Sequence, residues 1–109
     1  MKIVTMCREG NTRSVSLRYI LGRKLGHDVI ACGYRRNRIE TLQMLFRWAD
    51  SIVILAERMR GKIPDEFQDK LRVYDVGPDR WGNPFDKELN DILVKFVNED
   101  GFFGKLGVK

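Results

Sequence analysis

Five residues separate Cys7 from Arg13, and Ser14 follows at once, in the run Cys7-Arg8-Glu9-Gly10-Asn11-Thr12-Arg13-Ser14. A thiolate is a strong nucleophile, and an arginine fork matches phosphate oxygens bidentately. Gly10 and Asn11 tolerate a positive φ, which lets backbone N–H groups converge on an anion. Ser14 supplies a hydroxyl that can donate to the sulfur, and a helix starting here adds the positive end of its dipole. Together these residues describe a thiolate–phosphate site.

The spacing alone is a cheap pattern in a chain this rich in arginine, and Cys32-x5-Arg38 matches it too. That second run, Cys32-Gly33-Tyr34-Arg35-Arg36-Asn37-Arg38, has no Ser or Thr after its arginine and crowds three guanidinium groups together. The first run is therefore the candidate. Cys32 ends a strand expected beside the one ending in Cys7, and neighbouring strands lie within the range of a disulfide. It is read either as a buried free thiol or as a reversible cap on an oxidised Cys7.

The elements that must position these loops alternate between strand and helix, which points to an α/β fold. Strands are expected at Lys2–Met6, Asp28–Cys32, Ser51–Ala56 and Leu71–Asp75. Helical spacing runs from Thr12 to about Leu25 with Gly26 closing it, from Ile39 to near Asp50, and from Asp86 as N-cap to Gly101. Glu57 to Lys70 is broken by Gly61 and Pro64 into two short pieces. The expected architecture has three α/β/α layers around a four-stranded parallel sheet wound like flavodoxin, with right-handed connections. Ligands of such sheets sit at the carboxyl ends of the strands, so the loops to read are 7–14, 32–38, 56–62 and 75–85.

The 109 residues, 43% of them apolar, fit one domain over 1–109 with a modest core. No apolar run approaches a membrane span and no secretory leader is evident, so neither a membrane nor secretion is expected. Two cysteines exclude a disulfide scaffold, and the expected compartment is the cytoplasm. One histidine and two separated cysteines make no metal set, and Gly101-Phe102-Phe103-Gly104-Lys105-Leu106 is no nucleotide P-loop. No cofactor is expected. Nor is there zinc-finger spacing or an aromatic RNA-binding run.

Residues 1–60 carry 12 basic against 5 acidic side chains, whereas residues 61–109 carry 8 against 10. The basic half is thus expected to face an anionic ligand. Tyr34-Arg35-Arg36-Asn37-Arg38 is either a solvated charge run or a rim that recruits a polyanion: a nucleotide, a nucleic-acid end or an acidic phosphopeptide. Tyr34 could stack on a base or ring there, and Arg58 and Arg60 extend the same rim. His27 reads as a surface residue, and Phe102 and Phe103 as packing the tail against the sheet.

The first loop resembles that of the low-molecular-weight protein tyrosine phosphatase family, Cys-x-Gly-Asn-x-Cys-Arg-Ser, right after the first strand. Here Gly10-Asn11 falls one residue later, Thr12 stands where the family often has a second Cys, and Val15 replaces the usual Pro. Trp48-Ala49-Asp50-Ser51-Ile52-Val53-Ile54-Leu55 resembles a segment of shortened members, and the loop after Asp75 resembles the family's acid loop. The resemblance covers most of the chain and implies a phosphotyrosine phosphatase I-like fold and two-step phosphomonoester hydrolysis. Cys7 would attack phosphorus, while Arg13 and the backbone of Arg8, Glu9, Gly10, Asn11 and Thr12 would hold the oxygens. Ser14 would tune the thiolate, Asn11 would brace the loop, and Trp81 resembles an aromatic that walls the pocket. The family's acid is an Asp followed by Pro, whereas this chain has Pro78-Asp79. Asp79 is the first candidate for the general acid and Asp75 the second.

The implied substrate is a phosphomonoester, either a phosphotyrosine protein or another anionic phosphate ester, with a shallow pocket and a preference for anionic flanks. Arsenate reduction coupled to a small thiol uses the same loop. A phosphocarrier shares the layout but typically lacks the arginine. A non-catalytic module binding anions or nucleic acid is the remaining alternative.

Overall fold

The computed structural model describes residues 1–107; residues 108 and 109, the end of the expected domain, lie outside the described residues. Four parallel strands, β1 (Lys2–Cys7), β2 (Asp28–Gly33), β3 (Ser51–Ile54) and β4 (Leu71–Val73), pair in the order β2-β1-β3-β4. The two central strands are apolar on both faces because both faces are covered: Ile3, Val4, Met6, Ile52, Val53 and Ile54 are all fully buried. The edge strand β2 instead alternates exposed and half-buried residues over its first four positions.

The crossovers are α1 (Arg13–Tyr19), α2 (Ile39–Trp48) and two 3-10 turns at Glu57–Lys62 and Asp65–Lys70, and α3 (Lys87–Asp100) follows the last strand. The chain leaves β1 in one direction for β2, then returns across β1 to β3. Right-handed connections therefore put α1 and α2 on opposite faces. Helix α3 joins α1, with Leu17, Leu89, Leu93 and Val97 fully buried between them and the sheet. On the other face Phe46 of α2 meets Phe67 of the second 3-10 turn, ring centroids 5.8 Å apart. The result is the expected three-layer α/β/α architecture.

Several boundaries move. The helix expected to reach Leu25 is α-helical only to Tyr19 and continues as a π-helical turn, Ile20–Lys24, containing Gly22, a weak helix former. Gly26 closes that turn at φ +77°, with its N–H on the Gly22 carbonyl. β3 and β4 stop before Ala56 and Asp75, although Leu55 N–H still reaches the Met6 carbonyl and Tyr74 N–H the Ile54 carbonyl. The two short pieces around Pro64 form as expected, and α3 begins and ends as expected. The Asp86 carboxylate accepts from the N–H groups of Glu88 and Leu89, and Gly101 takes φ +68°.

His27 departs from its reading as a surface residue. It is half-buried, its Nε2 lies 2.7 Å from the Phe103 carbonyl oxygen, and its ring meets Phe103 edge-on. The start of β2 lies beside the N-terminus of β1, where the C-terminal tail folds back, so the imidazole is trapped between them. Phe103 packs inward as expected, whereas Phe102 stays 47% exposed beneath the Arg72 guanidinium, 3.6 Å from its ring.

Candidate active site

Strand order reverses between β1 and β3, so the crevice outside their carboxyl ends is the place for a ligand. Cys7 is the last residue of β1 and Arg13 the first of α1; the intervening five residues form the loop. Its backbone turns at Gly10, with φ +77°. That turn brings the Gly10 N–H back onto Cys7 Sγ at 3.2 Å. The thiol in turn donates to Ser14 Oγ at 3.1 Å, and rotation of both hydrogens lets the hydroxyl donate to a thiolate instead. Ser14 is fixed from behind, its carbonyl accepting from Thr5 Oγ1 at 2.8 Å.

The second loop holds the first in shape. The β1–β2 ladder runs on past the strand ends, with Tyr34 N–H on the Cys7 carbonyl and Arg35 N–H on the Arg8 carbonyl. Gly10 and Gly33 interlock. A Cβ on Gly10 would lie 2.6 Å from the Gly33 nitrogen, and one on Gly33 would lie 2.3 Å from the Glu9 carbonyl carbon. Asn37 Oδ1 caps this contact by accepting from Gly33 N–H at 3.0 Å. Asn11, read as the brace, is exposed instead, and among the described residues its side chain hydrogen-bonds only the Thr12 hydroxyl, at 3.4 Å. The one-residue displacement of Gly10-Asn11 explains the exchange: glycine takes the position that needs positive φ, and asparagine is pushed outward.

Arg13 is only 1% exposed, and its Nη1 donates to the Gly77 carbonyl at 2.8 Å. Its Nε is buried without a hydrogen-bond partner, and no carboxylate pairs with it among the described residues. An unpaired buried cation is costly, and a bound oxyanion would remove that cost. Arg8 and Glu9 are outward neighbours, Glu9 lying 3.8 Å from Arg8 and 3.9 Å from Arg35. Thr12 is buried at the helix start.

The loop after β4 carries both acid candidates. Asp75 has both oxygens engaged by backbone, Oδ2 accepting from Glu57 N–H at 3.1 Å and Oδ1 from Gly77 N–H at 2.9 Å. It therefore ties this loop to the one after β3 and orients the Gly77 carbonyl that meets Arg13. Asp79 is exposed and has no hydrogen bond or ion pair among the described residues. Trp81 is 7% exposed, its Nε1 donates to Glu88 Oε1 at 3.0 Å, and Arg80 covers one ring face at 4.2 Å. Packing claims most of that indole. Arg80 and Trp81 together hold the Glu88 carboxyl below the usual carboxylate range by hydrogen bonding.

Cys32 is not set up as a redox partner. The register pairs it with Met6 and pairs Cys7 with Gly33, so alternation along the strands sends the two thiols to opposite faces. Burial, and then the neighbouring Cys7, push the Cys32 thiol up to about 12. Tyr34 is half-buried with the Lys62 ammonium 5.1 Å from its ring centroid. Among the described residues no three His, Cys, Asp or Glu side chains cluster as metal ligands, and no helix is long and apolar enough to cross a membrane. Gly33, Asn37 and Gly77 are the site residues that sequence reasoning missed. Only the Cys32-x5-Arg38 loop, already marked by its position at a strand end, pointed towards the first two.

Neither protein-family models nor curated proteins match the sequence. Solved structures do resemble the chain. A YwlE mutant from Bacillus subtilis is 15% identical, covering 91% of this chain and 97% of its own at a TM-score of 0.67. The YwlE arginine phosphatase from Geobacillus stearothermophilus is 14% identical, covering 98% and 99% at 0.66. A low-molecular-weight protein tyrosine phosphatase from Bacillus subtilis is 16% identical, covering 92% and 99% at 0.65. The β2-β1-β3-β4 sheet, with its cysteine loop leading from β1 into α1, is thus the fold of the low-molecular-weight protein tyrosine phosphatases.

Proposed function

We propose that the chain is a cysteine-dependent phosphatase that hydrolyses phosphomonoesters through a phosphocysteine. The observation that carries this reading is Arg13, a buried guanidinium with no carboxylate partner among the described residues, in the loop that wraps the Cys7 sulfur. The likeness to solved phosphatases supports it. In the first step the Cys7 thiolate attacks phosphorus; an S–P bond forms and the ester P–O bond breaks. Arg13 and the loop amides of Arg8, Glu9, Gly10, Asn11 and Thr12 bind the non-bridging oxygens as charge moves onto them. Asp79, in its protonated form, gives its proton to the departing oxygen.

In the second step the Asp79 carboxylate takes a proton from water, the water oxygen attacks phosphorus, and the P–S bond breaks. Phosphate leaves and the thiolate returns, its negative charge eased by the Ser14 hydroxyl and the Gly10 N–H. Asp79 rather than Asp75 is our acid because both Asp75 oxygens already accept from backbone N–H groups. The cycle needs a reduced Cys7, which a cytoplasmic setting maintains.

Release of aryl alcohol from a small aryl phosphate tests the reading. Cys7→Ser should lower kcat by about 10⁴-fold or more, the scale of losing a nucleophile. Asp79→Asn should cost about 10²-fold with a poor leaving group and little with a good one, as general-acid loss does. Asp75→Asn should act on both leaving groups alike. Phosphate binding by wild type without any turnover would overturn the enzyme reading in favour of an anion-binding module.

A further inference from the structure

A cleft of about 240 Å³ adjoins the cysteine loop on the β2 side, lined by Tyr34, Ile39, Leu42, Phe46, Lys62 and Pro64. Its wall is continuous with the proposed catalytic loop, because the N–H of Tyr34 donates to the Cys7 carbonyl. Ile39, at the start of α2, is 66% exposed at its edge and extends the apolar lining outward. Around this cleft the surface is basic. Arg36 and Arg38 are exposed without an ion-pair partner among the described residues, while Arg8 and Arg35 share the single Glu9 at 3.8 and 3.9 Å. The acidic side chains in the first turns of the elements flanking the cleft are Glu40, Glu57, Asp65 and Glu66, of which Glu57 is paired with Arg60 at 3.0 Å and Glu66 with Arg47 at 3.9 Å.

We infer that this cleft and rim form the docking surface for an acidic segment of a phosphoprotein, with one apolar side chain of that segment entering the cleft. The inference rests on the phosphatase reading and names the substrate class for the same site. Charge complementarity selects the acidic partner, and the apolar lining selects a peptide over a nucleic acid. A base would need an open aromatic face, and the ring most exposed to the site, Tyr34, carries the Lys62 ammonium 5.1 Å from its centroid. A leucine- or phenylalanine-sized side chain fits a space of this volume. It would cover Ile39 as it docks.

The test compares kcat/KM for phosphotyrosine peptides that are acidic with a leucine near the phosphoresidue, acidic without it, and neutral with it. A small aryl phosphate and a 5′-phosphorylated oligonucleotide complete the set. The acidic leucine peptide should exceed the neutral one by about tenfold at low salt, and the gap should shrink as ionic strength rises. Arg36→Gln with Lys62→Gln should narrow that gap about fivefold, the scale of two exposed charge contacts. Gln43→Trp, which fills the cleft from α2, should abolish the leucine preference while keeping the acidic one. Equal turnover of all three peptides, with the aryl phosphate still hydrolysed, would overturn this inference and leave the phosphatase reading intact. Preference for the oligonucleotide would overturn it in favour of a nucleic-acid end. If the aryl phosphate is not hydrolysed, the phosphatase reading fails, and binding of the same peptides by fluorescence anisotropy decides the surface: no preference for the acidic leucine peptide overturns it.

Discussion

Two loops of this chain share the pattern Cys-x5-Arg, both lie at the carboxyl edge of the sheet, and they fold into opposite things. In the first, α1 begins at Arg13 itself, so the guanidinium is carried under the loop and is 1% exposed. In the second, α2 begins one residue after Arg38, which stays extended at φ −68° and ψ 153° and points its charge to solvent. The cysteines differ likewise. Both are buried, but Cys7 Sγ is met by a backbone N–H and a serine hydroxyl, whereas burial and then the neighbouring Cys7 push the Cys32 thiol up to about 12. A motif is thus only a spacing, and the turn within it decides whether the charged groups converge. Here that turn is Gly10, and the second loop, with Gly33 at its start, is the surface on which it rests.

The comparison breaks most visibly at the arginines. Arg13→Lys should lower kcat/KM for an aryl phosphate by about 10³-fold, because an ammonium cannot reproduce a fork around the transition state. Arg38→Lys should cost no more than a few-fold in the same assay. Equal losses would mean that both loops contribute to the phosphate site.

A smaller effect probes the support. Gly33→Ala puts a methyl group 2.3 Å from the Glu9 carbonyl carbon, so the loop must shift although no catalytic group is removed. We expect kcat to fall about 10²-fold, the scale of an ångström of misplacement. Denaturant unfolding should register a loss of about 1–3 kcal/mol for such overpacking. Unchanged kcat with normal stability would separate the two loops functionally.

The smallest effect concerns the thiols and pH. Cys32 is raised in the folded chain, so the unfolded chain ionises first as pH climbs, and stability is fully present below about 9 and lost towards about 12. Denaturant midpoints of wild type should therefore fall more between pH 7 and pH 10 than those of Cys32→Ala. At pH 7 to 8 iodoacetamide should modify Cys7 and spare Cys32. Equal labelling of both would refute the assignment of Cys32 as an inert core thiol.

The elements were legible because their signals are local. Apolar runs marked β1 and β3 as strands, Asp86 and Gly101 marked the ends of α3, and Pro64 split the crossover into two turns. Ser14 and the mid-loop glycine also set the Cys7 loop apart from the Cys32 loop in the sequence, and in the fold the Ser14 hydroxyl and the Gly10 N–H meet the Cys7 sulfur. The brace was not legible. Asn11 looked like the residue to hold the loop, yet Asn37 holds it from the other side through Gly33.

Sequence by itself therefore determined which segments become strands and which loop could carry a thiol and a phosphate fork. Backbone conformation and apolar period are properties of neighbouring residues, so neighbours reveal them. Only tertiary structure decided that Gly10 meets Gly33, that the Gly77 carbonyl receives Arg13, and that Asp75 is spent on two backbone N–H groups. It also decided that Tyr34 and Lys62 wall one cleft. Apart from the local Asp75–Gly77 turn, those contacts join different loops, and they exist because the sheet order brings four loops to one edge.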